Sequence, residues 1–193
     1  NQSSLDDFNQ KEIEEFDPDL ILFYGWSWIV PDSLIKKYTC LMLHPSPLPL
    51  YRGGSPIQNQ IIRGIKKSKS TAFLMNEKLD SGKIISKKSL SLEGSLDEIF
   101  LRMEKNNLEL ITNIISKKFK LSSQKGTPTY YKRRIPSQSE LKDLNKSKLY
   151  MHNFIRMLAD PYPNAYIKIG KKKIIFKASK FDGKNLSFEG VIE

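Results

Sequence analysis

Two short runs of apolar residues limit the folds open to this chain more than any other feature of its sequence. They cover residues 20–24 and 39–43, and both predict buried strands. Residues 31–37 lie between them and predict a helix, because a proline near a helix start loses no hydrogen bond. A first helix, with apolar residues from Leu5 to Phe16, precedes both runs and stops at Asp17-Pro18-Asp19. The order helix, strand, helix, strand predicts an α/β fold with an open, mostly parallel sheet.

Similar patterns continue along the chain. Residues 56–64 and 95–118 predict two further helices, and residues 70–76 and 83–92 predict two further strands. Ser95 followed by Glu98 indicates a capping box at the start of the long helix. The apolar residues of that helix fall on one face, which is expected to pack on the sheet.

A smaller unit is expected at the C-terminal end. Residues 122–139 are polar and basic, a helix is predicted over 144–158, and three short strands are predicted over 165–169, 173–178 and 186–192. These patterns predict a large domain over residues 1–121, a linker over 122–143, and a small α+β domain over 144–193. The strands of the small domain are expected to form a barrel-like unit.

Composition favours a cytoplasmic protein. The chain has 193 residues and a single cysteine, Cys40, which cannot form an internal disulfide, so a reducing compartment is expected. The apolar runs are too short to span a bilayer, and no membrane partner is expected. The sequence opens without an initiator methionine, which suggests that an N-terminal portion is missing. No group of cysteines and histidines has the spacing of metal ligands, so no metal is expected.

The net charge of +11 has two interpretations. Lysine, isoleucine, asparagine and serine are frequent throughout, and such a bias raises the charge without reference to any ligand. Basic residues are nevertheless concentrated between Lys117 and Lys184, which favours an anionic partner. A nucleic acid is one partner of that kind.

Two ionisable residues occupy positions suited to chemistry. His44 directly follows the second strand and opens a proline-rich loop, and Asp80 lies between an apolar strand and the Ser81-Gly82 turn. Residues just past the carboxyl ends of strands face the binding crevice of an open α/β sheet. A carboxylate beside an imidazole fixes its tautomer and stabilises its protonated form, which suits proton transfer. In the alternative interpretation, His44 only completes a strand end and Asp80 only makes a turn.

The loop resembles the signature of a known family. Leu-His-Pro-Ser-Pro-Leu-Pro-Leu-Tyr-Arg-Gly-Gly-Ser-Pro-Ile covers residues 43–57, and Leu-Asp-Ser-Gly covers residues 79–82. Together they are similar to the signature of the folate-dependent formyltransferases, which include methionyl-tRNA, glycinamide ribonucleotide and amino-sugar N-formyltransferases. The resemblance extends from about Phe16 to the last strands. It implies that residues 1–121 form a formyltransferase catalytic domain whose first βαβ portion is absent from this chain.

The resemblance also implies roles for individual residues. His44 matches the catalytic histidine, Asp80 matches the catalytic aspartate, and 10-formyltetrahydrofolate is the implied formyl donor. The residues that match the lining of the pterin pocket are Trp28, Ile29, Val30, Cys40, Met75, Asn76, Glu77, Lys78 and Leu79. For Trp28, an ordinary place in the core is the alternative. The family pattern fails at Met42, where an asparagine amide usually helps to hold the formyl oxygen, because a thioether donates no hydrogen bond.

The acceptor implied first is the primary amine of a nucleotide-linked amino sugar, because residues 130–136, 153–156 and 160–166 are similar to that branch. The residues expected to contact the acceptor are Tyr51, Arg52, Gly53, Gly54, Arg133 and Arg134, and arginines suit a diphosphate. Residues 132–134 could equally form a solvated linker surface. The open alternatives are a methionyl-tRNA formyltransferase, a catalytically silent folate-binding relative, and an RNA-binding protein with this fold. The resemblance also allows a homodimer.

Overall fold

The computed structural model describes residues 7–116 and 119–193. The helices and strands, in chain order, are α1 (Asp7–Phe16), β1 (Leu20–Tyr24), α2 (Asp32–Lys37), β2 (Thr39–His44), β3 (Arg52–Gly53), α3 (Pro56–Ile61), β4 (Lys67–Leu74), β5 (Ile84–Ser91), α4 (Leu96–Ser116), β6 (Tyr130–Tyr131), α5 (Lys148–Arg156), β7 (Tyr166–Ile169), β8 (Lys172–Phe181) and β9 (Leu186–Ile192). Leu5 and the predicted end of the long helix at residue 118 lie outside the described residues. None of the helices described here is long and apolar enough to cross a membrane.

The larger sheet contains β1, β2, β4 and β5, in that order. β1 and β2 pair in parallel, whereas β4 is antiparallel to both of its neighbours. It follows that β1, β2 and β5 run in one direction and β4 runs against them. The α/β fold with an open, mostly parallel sheet is therefore confirmed.

The two faces of β2 have different surroundings, because successive side chains of a strand point to opposite sides. Leu41 and Leu43 pack against α4 in one apolar cluster. Cys40 and Met42 belong to a second apolar cluster on the other face. His44 lies two residues after Met42 and so projects on that second side. The sheet thus has a covered face under α4 and an opposite face that presents His44.

The long helix begins at the predicted capping box. Ser95 Oγ accepts a hydrogen bond from the Glu98 backbone N–H at 3.2 Å, and Glu98 Oε2 accepts one from the Ser95 backbone N–H at 2.8 Å. These bonds satisfy donors that the first helical turn leaves open. The predicted apolar face packs on the sheet through residues that include Leu110 and Ile114.

The C-terminal unit is an antiparallel sheet of β7, β8 and β9 beside α5. The barrel-like arrangement expected from the sequence is wrong in this respect, since no closed barrel occurs within residues 7–116 and 119–193. Three strands are too few to close, because even the small oligonucleotide-binding barrels use about five. α5 covers the sheet instead.

A shared apolar core joins this unit to the larger sheet. Phe154 and Ile155 of α5 and Phe176 of β8 are buried in one cluster with Leu92 and Ile99. The domain boundaries expected from the sequence stay a prediction.

The segment expected to be a linker contains a short strand. β6 pairs in parallel with β3, which lies in the loop after His44. Further backbone hydrogen bonds run from Arg52 N to Thr129 O at 2.9 Å and from Gly54 N to Tyr131 O at 2.8 Å. The linker therefore lies directly against the loop that follows the candidate histidine.

Candidate active site

Buried hydrogen bonds fix the loop over residues 45–55. Thr71 Oγ1 of β4 donates to the Ser46 carbonyl at 2.6 Å, and Gln60 Nε2 of α3 donates to the Pro45 carbonyl at 2.8 Å. Ser46, Gln60 and Thr71 are fully buried, so water does not compete for these contacts. The prolines of the loop restrict its backbone further. This rigid segment holds the surroundings of His44 in place.

The His44 imidazole has a different neighbour at each nitrogen. Nε2 lies 2.8 Å from the Tyr51 carbonyl oxygen, and Nδ1 lies 3.8 Å from Asp80 Oδ2. Because a carbonyl oxygen only accepts, Nε2 carries the hydrogen of the neutral ring and Nδ1 is the nitrogen able to take up a proton. The side chains of His44 and Asp80 are only 8% and 11% exposed. A proton gained at Nδ1 would therefore face a carboxylate that is largely shielded from water.

Asp80 reaches His44 by a route that strand order alone does not give. It follows β4, which runs antiparallel to β2, and Met75 N donates to the Cys40 carbonyl at 2.8 Å near the start of β2. Residues 75–82 must then fold back toward His44. Asp80 adopts a left-handed φ of +47°, and its Oδ2 accepts a 2.7 Å hydrogen bond from the Gly53 N–H. His44 therefore lies at the carboxyl end of a parallel strand, as the sequence predicts. Asp80 follows an antiparallel strand, and the fold of residues 75–82 brings it to His44.

Two glycines allow the loops to approach closely. A Cβ at Gly53, where φ is +92°, would lie 2.4 Å from the Tyr131 carbonyl oxygen. A Cβ at Gly82 would lie 1.6 Å from the Leu74 carbonyl oxygen. Real Cβ atoms do not come so close to backbone oxygens, so any side chain at either position would displace a loop that carries Asp80 or its partner.

The residues expected to line a pterin pocket fall into two groups. Val30 and Cys40 are buried in the apolar cluster that contains Met42, and Met75 packs against the same cluster. Burial raises the pKa of the Cys40 thiol to about 11. Trp28 is half-buried and meets Trp26 edge to face, with 5.1 Å between ring centroids.

The other predicted pocket residues are exposed. Ile29 is 81% exposed. The exposed turn before Asp80 consists of Asn76, Glu77, Lys78 and Leu79. Asn76 Oδ1 stabilises this turn by accepting hydrogen bonds from the Lys78 N–H and the Ser81 hydroxyl. Their contact with a pterin stays a prediction.

The arginines expected to bind the acceptor differ in exposure. Arg52 is buried, Arg134 is half-buried and Arg133 is exposed. Burial lowers the pKa of Arg134, whose guanidinium lies 5.8 Å from the centre of the Phe154 ring. The Arg133 guanidinium lies 5.7 Å from the Trp28 ring. Of the three, Arg133 has the position best suited to contact a bound molecule.

Tyrosines surround the remaining predicted acceptor residues. Tyr51 stacks on Tyr131, with 5.1 Å between ring centroids, and Arg63 covers the Tyr131 ring at 4.3 Å. Gly54 lies against the backbone of Arg133, where a Cβ would come within 2.4 Å. The structure therefore brings the glycines of the loop and residues 131–133 together, and their contact with an acceptor stays a prediction.

Two further residues organise the site and were not predicted from the sequence, Gln124 and Thr129. Gln124 Nε2 donates to the carbonyl oxygens of Asp80 and Gly82, both at 2.9 Å. Thr129 Oγ1 accepts a 2.8 Å hydrogen bond from the Tyr51 N–H. Both lie in the polar stretch interpreted as a linker, where nothing in the sequence distinguishes a side chain that binds another loop from a solvated one. Within the described ranges, no three His, Cys, Asp or Glu side chains come together to hold a metal ion.

Comparison with known proteins gives two family matches. The family described as formyl transferase matches residues 1–115, and the family described as methionyl-tRNA formyltransferase, C-terminal domain, matches residues 136–192. The methionyl-tRNA formyltransferase of Bacillus subtilis is 34% identical over 171 residues, which are 84% of this chain and 54% of that protein. The chain thus spans about half the length of the curated relatives it matches.

Solved structures agree with the family matches. The methionyl-tRNA formyltransferase from Clostridium thermocellum superposes with a TM-score of 0.88 at 35% identity, covering 95% of this chain and 81% of that one. A sugar N-formyltransferase from Shewanella superposes with a TM-score of 0.74 at 20% identity, covering 92% of this chain and 76% of that one, which shows a common fold. The signature loop, the paired His44 and Asp80, and a family match over residues 1–115 lead to one conclusion: the chain belongs to the formyl transferase family.

Proposed function

We propose that the protein transfers a formyl group from 10-formyltetrahydrofolate to the amino group of methionyl-tRNA. The observation that carries this proposal is the shielded His44–Asp80 pair at the end of β2. The relatives named methionyl-tRNA formyltransferase support the choice of acceptor, since they match this chain at up to 35% identity.

His44 is suited to remove a proton from the attacking amine and to return it to the folate nitrogen that would leave as its bond to the formyl carbon breaks. Its Nε2 hydrogen is committed to the Tyr51 carbonyl, which leaves Nδ1 as the basic nitrogen. The proton gained at Nδ1 would be stabilised by Asp80, because the carboxylate lies 3.8 Å away in a shielded site. Such contacts often shorten when substrate binds. Positioned acid–base groups of this kind contribute about 100-fold to 10,000-fold to a rate.

The surroundings of β2 fit a folate donor, which would supply the formyl group. Cys40, Met42 and Met75 belong to the apolar cluster on the His44 side of the sheet. Nearby, Trp26 Nε1 is buried and has no hydrogen-bond partner among the described residues. Apolar walls with a free donor suit a flat heterocycle that carries hydrogen-bond acceptors.

The comparisons favour the tRNA alternative over the amino sugar that the sequence predicted first. The sugar N-formyltransferase from Shewanella is similar at 20% identity, which is evidence for fold only. The match to the methionyl-tRNA formyltransferase C-terminal domain falls on residues 136–192. This unit carries three exposed lysines, Lys171 in the turn before β8 and Lys172 and Lys173 at the start of β8. A surface of this charge suits a phosphate backbone.

The proposal is tested by offering the full-length protein two acceptors with 10-formyltetrahydrofolate, namely methionyl-tRNA and a panel of nucleotide-linked amino sugars. Mass spectrometry of the products reports which amine gains the formyl mass. The expected result is formylmethionyl-tRNA, lost in His44→Ala. Formylation of a sugar but not of the tRNA would support an amino-sugar N-formyltransferase instead. Absence of every product would favour a catalytically silent relative.

The contribution of the C-terminal lysines is tested separately. Replacing Lys171, Lys172 and Lys173 by glutamine should raise KM for methionyl-tRNA and leave KM for the folate donor unchanged. The dependence of tRNA affinity on salt should become shallower by about 0.9 in log–log slope for each phosphate that the protein no longer neutralises. An unchanged KM for the tRNA would mean that these lysines do not contact it.

A further inference from the structure

We infer that Gln124 is a positioning residue that keeps the Asp80 carboxylate beside the His44 imidazole, an inference that rests on the proposed function. Gln124 lies 44 residues from Asp80 in the chain, and its side chain spans the turn that carries the carboxylate. The amide nitrogen donates to the Asp80 and Gly82 carbonyl oxygens, at 2.9 Å each. The Gln124 amide therefore binds the backbone on both sides of Ser81.

Arg52 fixes the orientation of the Gln124 amide. Arg52 Nε and Nη2 donate to Gln124 Oε1 at 3.2 Å and 2.7 Å. A guanidinium only donates and a backbone carbonyl only accepts, so a single amide orientation satisfies both sets of partners. The Gln124 amide oxygen therefore binds only donors, and the Gln124 amide nitrogen binds only acceptors.

Arg52 has an unusual environment for a buried cation. It is 8% exposed, and its hydrogen-bond partners are the neutral Gln124 amide and the Tyr130 hydroxyl, the latter at 2.7 Å. The Tyr130 ring also lies 5.5 Å from the guanidinium carbon. Such an arginine orders the groups around it without neutralising the nearby carboxylate by a direct ion pair. The next residue, Gly53, donates its N–H to Asp80 Oδ2.

The backbone around Gln124 is itself anchored. Ser122 exchanges two backbone hydrogen bonds with Ile84 at the start of β5, at 2.8 Å and 2.9 Å. The Gln124 side chain thus extends from a fixed point next to the turn. This anchor is needed because Asp80 has a left-handed φ of +47°, a conformation that is unfavourable for a non-glycine residue and persists only when its surroundings hold it.

Two substitutions separate positioning from simple structural support. Gln124→Glu keeps an acceptor for Arg52 but replaces the donor by a carboxylate oxygen that repels the Asp80 and Gly82 carbonyls. Gln124→Met removes all these hydrogen bonds without adding a charge, and it serves if Gln124→Glu fails to fold. Lys125→Ala changes the exposed neighbour of Gln124 and is the matched control.

The expected kinetic result is a loss in kcat of about 10-fold to 100-fold in Gln124→Glu, with KM for donor and acceptor unchanged, because a misplaced catalytic group slows chemistry more than binding. Its melting temperature should stay above that of Gln124→Met, since Arg52 keeps a partner. Unchanged kcat in a folded Gln124→Glu would overturn the inference.

A second readout does not depend on activity. The Gly53 amide proton should resonate downfield in the wild type because it bonds to a carboxylate, and in Gln124→Glu it should move upfield and exchange faster with solvent. Lys125→Ala should leave this signal in place. If the wild type forms no formylated product but the Gly53 signal shifts as expected, the proposed function fails while the positioning role of Gln124 stands. An unchanged Gly53 signal refutes the positioning role whatever the activity.

Discussion

Met42→Asn should raise the rate of formyl transfer. Met42 lies two residues before His44 on the same face of β2, at the position where the family resemblance implies an asparagine. Side chains two apart on a strand point to the same side, so an amide at position 42 would project toward the same site as the imidazole. The substitution supplies a hydrogen-bond donor for the formyl oxygen that methionine lacks.

The expected magnitude follows from the burial of position 42. Met42 is 8% exposed and pairs across the sheet with Phe23 and Phe73, so water would compete little with a new amide there. One preorganised donor to a developing oxyanion is worth about 100-fold to 1,000-fold in kcat. The same burial carries a cost, since replacing a packed thioether by an amide lowers the free energy of unfolding by about 2–4 kcal/mol.

Single-turnover transfer from 10-formyltetrahydrofolate measures the gain directly, with chemical denaturation reporting the stability. Met42→Leu is the matched control, because it conserves volume and polarity and should change neither quantity by much. If Met42→Asn is folded and its single-turnover rate equals that of the wild type, then position 42 does not contact the formyl oxygen and the reasoning is refuted.

Three further predictions concern other parts of the molecule. Gly82→Ala should lower the free energy of unfolding by about 3 kcal/mol or more, because the added Cβ would collide with the Leu74 carbonyl oxygen. Gly64 has open space around it, so Gly64→Ala should lower the free energy of unfolding by only about 1–2 kcal/mol. Equal losses for the two variants in denaturant titrations would contradict this difference. Cys40, with a pKa of about 11, should resist alkylation at pH 8 until the protein unfolds, and rapid labelling of the folded protein would show that the thiol is accessible. Burial, assisted by Arg156, lowers the pKa of His152 below 6.5, so the folded protein binds this proton more weakly than the unfolded chain. The free energy of unfolding should therefore decrease as pH falls through 6.5, and His152→Asn should show a shallower decrease; parallel pH profiles would refute this assignment.

The sequence predicts the strands of this fold well and the contacts between distant segments poorly. β1 matches its predicted bounds and β2 exceeds them by one residue, because unbroken apolar runs between turn residues are a strong signal. The direction of β4 and the open C-terminal sheet were not available from periodicity, which reports burial on a face and not the partner of a strand.

The candidate site shows the same division. His44 and Asp80 are identifiable because they flank a loop with a rare arrangement of prolines and glycines. The hydrogen bonds of Gln124, and the fold of residues 75–82 that brings Asp80 to His44, could not be predicted. They are tertiary contacts between segments of ordinary polar composition. Arg52 shows the limit most clearly, since its buried guanidinium contacts Gln124 and Tyr130, two partners more than 70 residues away in the chain that its sequence neighbourhood does not indicate.

Formyl transfer to methionyl-tRNA by the His44–Asp80 pair can be tested in a single comparison. The quantity to measure is the single-turnover rate of formylmethionyl-tRNA formation by the full-length wild type and by Asp80→Asn, which keeps the size of the side chain and removes its charge. We expect product with the wild type and a rate lower by about 100-fold or more in Asp80→Asn, since the imidazolium would lose its stabilising partner. Equal rates in the two proteins, or formylation of an amino sugar with none of the tRNA, would contradict the proposed function.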